Sequence, residues 1–367
     1  MKRRSIAKKL PSYLLFSLLI LVYALYLVIL PSSTLVINGA GSTFVYPLIS
    51  KWSSEYRKAN PSMIINYQSI GSGGGIRLFI NKTIDFGASD APLNKQQMEV
   101  AKGVIHIPET LGAVVMSYNL PNVDLIINLT GEVIADIYLG KITRWSDKRI
   151  TELNPGVKMP NEKIVVIHRA EGSGTTYVFT DYLSKVSNEW RSLVGRGTSV
   201  QWPTGLGAVG SEGVASLINQ IKFSIGYIEL SYALQTNMTY AAIKNQYGKF
   251  VVPTPENVEQ AASNLAKSLP KGNESWENVS LVDAPGESAY PIVSFSYILV
   301  YEELSVLPGM SEKKAKDLVN FLWWCIHEGQ NYSLSLGYVP LPPEVVKINE
   351  ESIRTIKFKG VSLIGGD

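Results

Sequence analysis

The chain has 367 residues, 46% of them apolar and 18% charged, with a formal net charge of +3. That length suits two lobes of moderate size, and the composition excludes a largely disordered chain. Lys2, Arg3, Arg4, Lys8 and Lys9 precede the first apolar run and no acid lies among residues 1–33, so the remaining body carries −2, which argues against a nucleic-acid partner.

The basic start leads into residues 12–30, an almost wholly apolar stretch of 19 residues without charge. A helix needs roughly 17–25 such residues to span a bilayer. The preceding Lys and Arg hold that end in the cytoplasm and put the body outside. The expectation is therefore a membrane-spanning helix that anchors the body in the lipid bilayer at the outer face of the plasma membrane. Cleavage would instead leave the body secreted or periplasmic. Six Asn-x-Ser/Thr sequons (Asn81, Asn128, Asn237, Asn273, Asn278, Asn331) accord with an external glycoprotein.

The body then alternates strands and helices. Strands are predicted at 34–38, 63–68, 84–88 and 104–108, and helices at 45–59, 76–81 and 95–101. Residues 112–118 read as a crossing strand. Further strands fall at 123–127, 163–169 and 224–228, with helices at 130–139, 176–185 and 210–221. Residues 273–283 read as a polar surface loop, and 290–301 as a returning strand. A helix over 311–328 has Ser311 as its cap and Gly329 just past its end. This alternation, joined by glycine-rich turns, implies an open α/β sheet.

The lone cysteine, Cys325, lies among apolar residues and reads as core. His106, His168 and His327 have no partner at metal-ligand spacing. Neither a metal nor a cofactor is expected. Gly140-Lys141-Ile142 lacks the Ser/Thr of a phosphate-binding loop. Neither Ser72 nor Ser173 has the glycine two residues earlier that a nucleophile elbow requires, so no catalytic residue is named.

Three segments share one pattern, a β-rich run, a glycine-serine turn and then a helix: Gly41-Ser42-Thr43-Phe44, Gly71-Ser72-Gly73-Gly74 and Gly172-Ser173-Gly174-Thr175. Each sets a hydroxyl and free backbone N–H groups at a helix start, which favours an anion. Each would also serve as an ordinary helix cap. Arg169 closes the strand before the third turn and could hold a tetrahedral oxyanion through two N–H groups, or pair with Glu171 on the surface. Asp90 could accept the proton that phosphate keeps at neutral pH and sulfate lacks, or cap the segment that follows.

The chain resembles the substrate-binding proteins of high-affinity phosphate ABC transporters. The likeness runs through Asn38-Gly39-Ala40-Gly41-Ser42-Thr43-Phe44, Ile70-Gly71-Ser72-Gly73-Gly74-Gly75, Asp85-Phe86-Gly87-Ala88-Ser89-Asp90-Ala91-Pro92-Leu93, Ile137-Tyr138-Leu139-Gly140-Lys141-Ile142 and His168-Arg169-Ala170-Glu171-Gly172-Ser173-Gly174-Thr175-Thr176. It implies a two-domain, type II periplasmic-binding-protein fold, with inorganic phosphate held by Thr43, Phe44, Ser72, Asp90, Arg169, Ser173, Gly174 and Thr175. It also implies delivery to permease subunits in the membrane. Domain I would be 34–113 with 290–347, domain II 114–289, residues 1–33 a cytoplasmic stub with the anchor or signal peptide, and 348–367 a tail. Glu171 stands where the family commonly has aspartate and would steady Arg169 from outside the contact set. Arg169→Ala should then weaken phosphate binding with little loss of folding. A phosphatase on the same scaffold, or a binder of arsenate or sulfate, are the competing readings.

Overall fold

A computed structural model describes residues 34–123, 125–263 and 269–364. In chain order the elements are β1 (Leu35–Gly41), α1 (Tyr46–Ala59), β2 (Met63–Ser69), α2 (Ser72–Ile80), β3 (Phe86–Ser89), α3 (Lys95–Val100) and β4 (Val104–Tyr118). There follow β5 (Asn128–Leu129), α4 (Gly131–Tyr138), α5 (Lys148–Thr151), β6 (Val165–Arg169), α6 (Gly174–Val186), α7 (Asn188–Leu193), β7 (Leu206–Ala208), α8 (Gly210–Gln220), β8 (Ser224–Glu229), α9 (Leu230–Gln235), β9 (Ala242–Lys244), β10 (Phe250–Val251) and α10 (Pro255–Ser263). The chain closes with β11 (Val293–Tyr301), α11 (Glu312–Ile326), α12 (Pro343–Arg354), β12 (Lys357–Phe358) and β13 (Val361–Ser362).

Eight strands join in the order β2-β1-β3-β11-β4-β8-β6-β7. β1 runs parallel to β2 and β3, and β6 parallel to β7 and β8, so each half carries its own parallel core. β4 joins the halves. Its residues from Val104 to Ala113 pair with β11, and from Val114 to Tyr118 with β8. All fifteen of its residues are buried, as befits a strand with neighbours on both sides. The two lobes of a type II binding-protein fold follow from this arrangement.

Local rules account for most helices. α1 has Pro47 in its first turn, Arg57 and Lys58 in its last, and buries Leu48, Ile49, Trp52 and Tyr56 on one face. Ser311 accepts from the Lys314 N–H and starts α11.

The structure departs from the sequence reading in several places. Among the described residues no helix is long and apolar enough to cross a membrane, so the membrane-spanning helix does not stand as part of the fold. Its residues, 1–33, lie outside those described. The two strands expected over 104–118 are one, because β4 runs on through the buried Glu109 and Thr110 with a bulge at Glu109 in its pairing with β11. α2 begins at Ser72 and takes in the glycines expected as a turn. Its first turn lies against β1 and β3, where a Cβ on Gly75 would meet Gly41 Cα at 2.4 Å, so close packing overrides helix propensity. Pairing begins at Asn128, leaving 123 and 125–127 outside any strand. Gly329 lies within a 3-10 turn (Glu328–Tyr332), and its carbonyl accepts from the Trp52 indole at 2.7 Å. The loop at 273–283 drives Trp276 fully inside, against Phe295 and Tyr297. Residues 348–364, expected as a tail, bury Ile353 and Ile356 and dock Lys357 N–H on the Glu302 carbonyl at 2.7 Å.

Candidate functional site

The strand ends of both lobes converge. β1 ends at Gly41, ahead of Ser42 and Thr43, and β3 ends one residue before Asp90. From the other lobe β6 ends at Arg169, β8 at Glu229, and β7 leads into Ser211 at the start of α8. Ligands in open α/β folds settle outside such carboxyl ends.

Asp90 is buried and surrounded by hydroxyls. Ser42 Oγ lies 2.7 Å from Oδ1 and 2.8 Å from Oδ2, and Ser296 Oγ donates to Oδ1 at 2.8 Å. Ser72 Oγ donates to Oδ2 at 3.3 Å while accepting from the Asp90 N–H at 3.3 Å. Burial pushes the Asp90 carboxyl up to about 7, against the hydroxyls of Ser42, Ser296 and Ser72, which favour its charged form; the charge of Glu229 adds to the rise.

Arg169 is equally enclosed, and each of its nitrogens has a partner. Nε donates to Glu171 Oε1 at 2.8 Å and Nη2 donates to the same oxygen. Nη1 donates to Ser211 Oγ at 3.1 Å and Thr175 Oγ1 at 3.3 Å, and stands 3.9 Å from Glu229 Oε1. Glu229 is itself buried and accepts from Thr175 Oγ1 and, at 3.0 Å, from Ser211 Oγ. Burial raises the Glu229 carboxyl, and the nearby guanidinium opposes that rise. Burial alone would lower Arg169; Glu229 and Glu171 outweigh it and hold the guanidinium above its ordinary value. Glu171 Oε1 also accepts from the Gly210 N–H at 3.1 Å, which ties Arg169 to the start of α8.

The two halves touch. Thr43 Oγ1 and Ser211 Oγ are 2.7 Å apart, and the Gly73 N–H donates to the Gly172 carbonyl at 3.0 Å. The Tyr232 hydroxyl donates to Glu212 Oε1 at 2.8 Å and sits 3.0 Å from the Thr43 carbonyl. Tyr338, which shares a lobe with Phe44, donates to the Phe44 carbonyl at 2.6 Å and lies 3.0 Å from Ser231 Oγ of the other lobe. A Cβ on Gly174 would meet Asp90 Oδ2 at 2.3 Å and Ser72 Oγ at 2.4 Å. Only glycine lets the start of α6 come this close to the Asp90 carboxylate.

The structure thus brings Thr43, Ser72, Asp90, Arg169, Gly174 and Thr175 into one cluster, with Glu171 beside Arg169. The other two named residues lie in the same turns with their side chains engaged elsewhere, and for Phe44 the expected contact is through the backbone N–H. Ser173 Oγ accepts from the Thr176 N–H at 3.3 Å and its own N–H goes to the Thr198 carbonyl at 2.8 Å, the work of a helix cap. The Phe44 ring is buried beside Tyr338, so Phe44 can offer only backbone to the site. Four residues escape the sequence reading, Glu109, Ser211, Glu229 and Ser296, while Ser42 stands in the first glycine-serine turn but is not among the expected contacts. Gly210-Ser211 repeats the glycine-serine helix start of the other three turns and could have been found by that signal. Glu229 lies one residue past the strand predicted at 224–228 and ends the observed β8. Glu109 and Ser296 lie within apolar runs and carry no local signal. Among the described residues no group of three His, Cys, Asp or Glu side chains is placed to hold a metal.

A model of the PBP superfamily domain matches residues 31–323. Phosphate-binding protein PstS of Xylella fastidiosa is 47% identical over 312 residues, covering 85% of this chain and 83% of that protein. The chain belongs to the PstS phosphate-binding protein family. Another PstS, from Methanocaldococcus jannaschii, is 40% identical over 340 residues, covering 89% of this chain and 87% of its own. An ABC-type phosphate transport receptor from Vibrio cholerae shares the fold, with a TM-score of 0.54 at 20% identity, covering 83% of this chain and all of that one. Behind the Asp90 carboxyl, Ser296 Oγ stands 2.8 Å from Asp90 Oδ1 and 3.0 Å from Glu109 Oε1.

Proposed function

We propose that this chain captures inorganic phosphate between its two lobes, outside the cytoplasm, and delivers it to an ABC permease for import. One observation carries the reading: a buried carboxylate, Asp90, and a buried guanidinium, Arg169, come from opposite lobes to a cluster rich in hydroxyls. A cation with hydroxyl and N–H donors suits a tetrahedral oxyanion; a carboxylate beside it suits one that still carries a proton. Thr43, Phe44 through its backbone, Ser72 and Asp90 would serve from one side, and Arg169, Ser173, Gly174 and Thr175 from the other. Glu171 would steady the guanidinium. Each charge-assisted hydrogen bond contributes about 1.5–3 kcal/mol, and lobe closure and desolvation offset much of the sum.

The division into 34–113 with 290–347 against 114–289 is supported by β4, which changes partner between Ala113 and Val114. The lobes would hinge there, as in binding proteins that close around a ligand. The relatives are named as binding proteins, and no bond-making step is proposed.

The test is Asp90→Asn, titrated with phosphate and with sulfate by calorimetry. The amide can donate to sulfate and no longer repels it, so sulfate should gain on phosphate by about tenfold or more. An unchanged ratio removes Asp90 as the reader of the ligand's proton.

A further inference from the structure

We infer that Glu109 carries a proton and, through Ser296, holds Asp90 as a bare acceptor, which makes Glu109 a positioning residue for the choice of anion. This rests on the proposed role of Asp90 in phosphate capture.

The geometry begins with a bulge. β4 and β11 pair Thr110 with Ser296 and Pro108 with Tyr297, so Glu109 has no partner residue on β11. Such an extra residue re-aims a side chain and is often found beside a functional site. Here Glu109 Oε1 stands 3.0 Å from Ser296 Oγ, which stands 2.8 Å from Asp90 Oδ1. All three residues are buried.

A serine hydroxyl has one hydrogen to donate. Ser296 lies between two carboxyls and can donate to only one. The other must donate to Ser296, and a carboxyl donates only when protonated. One proton is therefore shared by the pair whichever way the hydroxyl points. Its place follows from the surroundings. Asp90 receives the hydroxyls of Ser42 and Ser72 as well, which favour a charged carboxylate. Glu109 has Ser296 alone at Oε1, and its buried Oε2 has no hydrogen-bond partner. Burial pushes Glu109 up to about 8, against the Ser296 hydroxyl, with Asp90 adding to the rise; Asp90 reaches about 7. The titratable groups that feel Glu109 from the packed elements are Asp90, Tyr67, Cys325 and Tyr338, and none of them is a cation that would favour a charged Glu109. The chain Glu109 O–H to Ser296 Oγ, then Ser296 O–H to Asp90 Oδ1, leaves Asp90 unprotonated and ready for the ligand's hydrogen.

The full chain is compared with Glu109→Gln and Glu109→Leu. Glutamine keeps an N–H for Ser296 and cannot ionise. It should bind phosphate within about threefold of the parent at neutral pH. It should also lack the weakening that the parent shows as pH rises through about 8. Leucine offers no donor and should bind phosphate about tenfold more weakly. The infrared difference between the parent and Glu109→Gln at neutral pH should contain a protonated-carboxyl stretch. The proposal is overturned if glutamine binds as weakly as leucine, if the parent and Glu109→Gln share one pH profile, or if that stretch is missing. A parent that fails to bind phosphate would sink the functional reading instead, while the infrared difference would still decide the proton on Glu109.

Discussion

Thr43 and Ser211, 168 positions apart in the chain, place their hydroxyl oxygens 2.7 Å from each other across the cleft. Ser211 also accepts from Arg169 and donates toward Glu229. One hydroxyl thus joins the first lobe to the guanidinium of the second. Ser211→Ala should weaken phosphate binding by about 10–100-fold, in keeping with the loss of a hydrogen bond to a charged group. Calorimetry measures the affinity. An unchanged value would make Ser211 packing alone.

Arg169 is bound up with folding more closely than its sequence position suggests. Removing it leaves Glu229 buried at 1% exposure without its cation. Breaking such a pair from one side costs about 3–5 kcal/mol. Arg169→Ala should therefore lose both phosphate binding and stability, which corrects the expectation that folding would be spared. Arg169→Leu with Glu229→Gln should regain most of the stability and none of the affinity. Urea unfolding separates the two; a stable single variant would show that Glu229 is already neutral.

The legible part of this protein is what local chemistry determines. Serine or threonine caps, proline at α1 and the alternation of strand and helix mark most elements. The glycine-serine turns mark Thr43, Ser72 and the Gly174-Thr175 turn. The remainder depends on non-local pairing. Glu109 faces Asp90 only because β4 bulges opposite Ser296, and a one-residue change of register would turn it elsewhere. The glycines of α2 read as a turn until β1 and β3 press on them. Glu229 looks like any acid at the end of a strand until Arg169 arrives from another strand. Ser173 matches the pattern of the other turns, yet its hydroxyl is engaged as a cap.

Gly174 opens a prediction with opposite signs for binding and stability. Alanine is a better helix former by up to about 1 kcal/mol, and Gly174 is the first residue of α6. Its Cβ, however, would stand 2.3 Å from Asp90 Oδ2 with the lobes together. Gly174→Ala should keep or raise the melting temperature of the phosphate-free protein and weaken phosphate binding by about thirtyfold or more. Small-angle scattering with phosphate should show a more open particle than the parent. Tight binding by the variant would mean that α6 retreats from Asp90 when the ligand enters.

The buried acids also set how stability varies with pH. Asp90 rises from 3.8 to about 7 and Glu109 from 4.5 to about 8, both chiefly through burial. A carboxyl with a raised folded-state value holds its proton more tightly when folded. Its contribution is full below the unfolded value and is lost as pH rises through the folded one. The phosphate-free parent should therefore lose stability from these two groups between about pH 4 and about pH 8. His106 acts in the opposite sense. Burial lowers it to about 4, so its contribution is present above its ordinary value and lost as pH falls toward 4. The difference between Glu109→Gln and the parent isolates one group. It should be near zero at acid pH and grow to about 2–4 kcal/mol in favour of the variant above about pH 8. Urea midpoints at a series of pH values read this directly. A difference that stays flat would show that Glu109 ionises as easily inside the fold as in the unfolded chain.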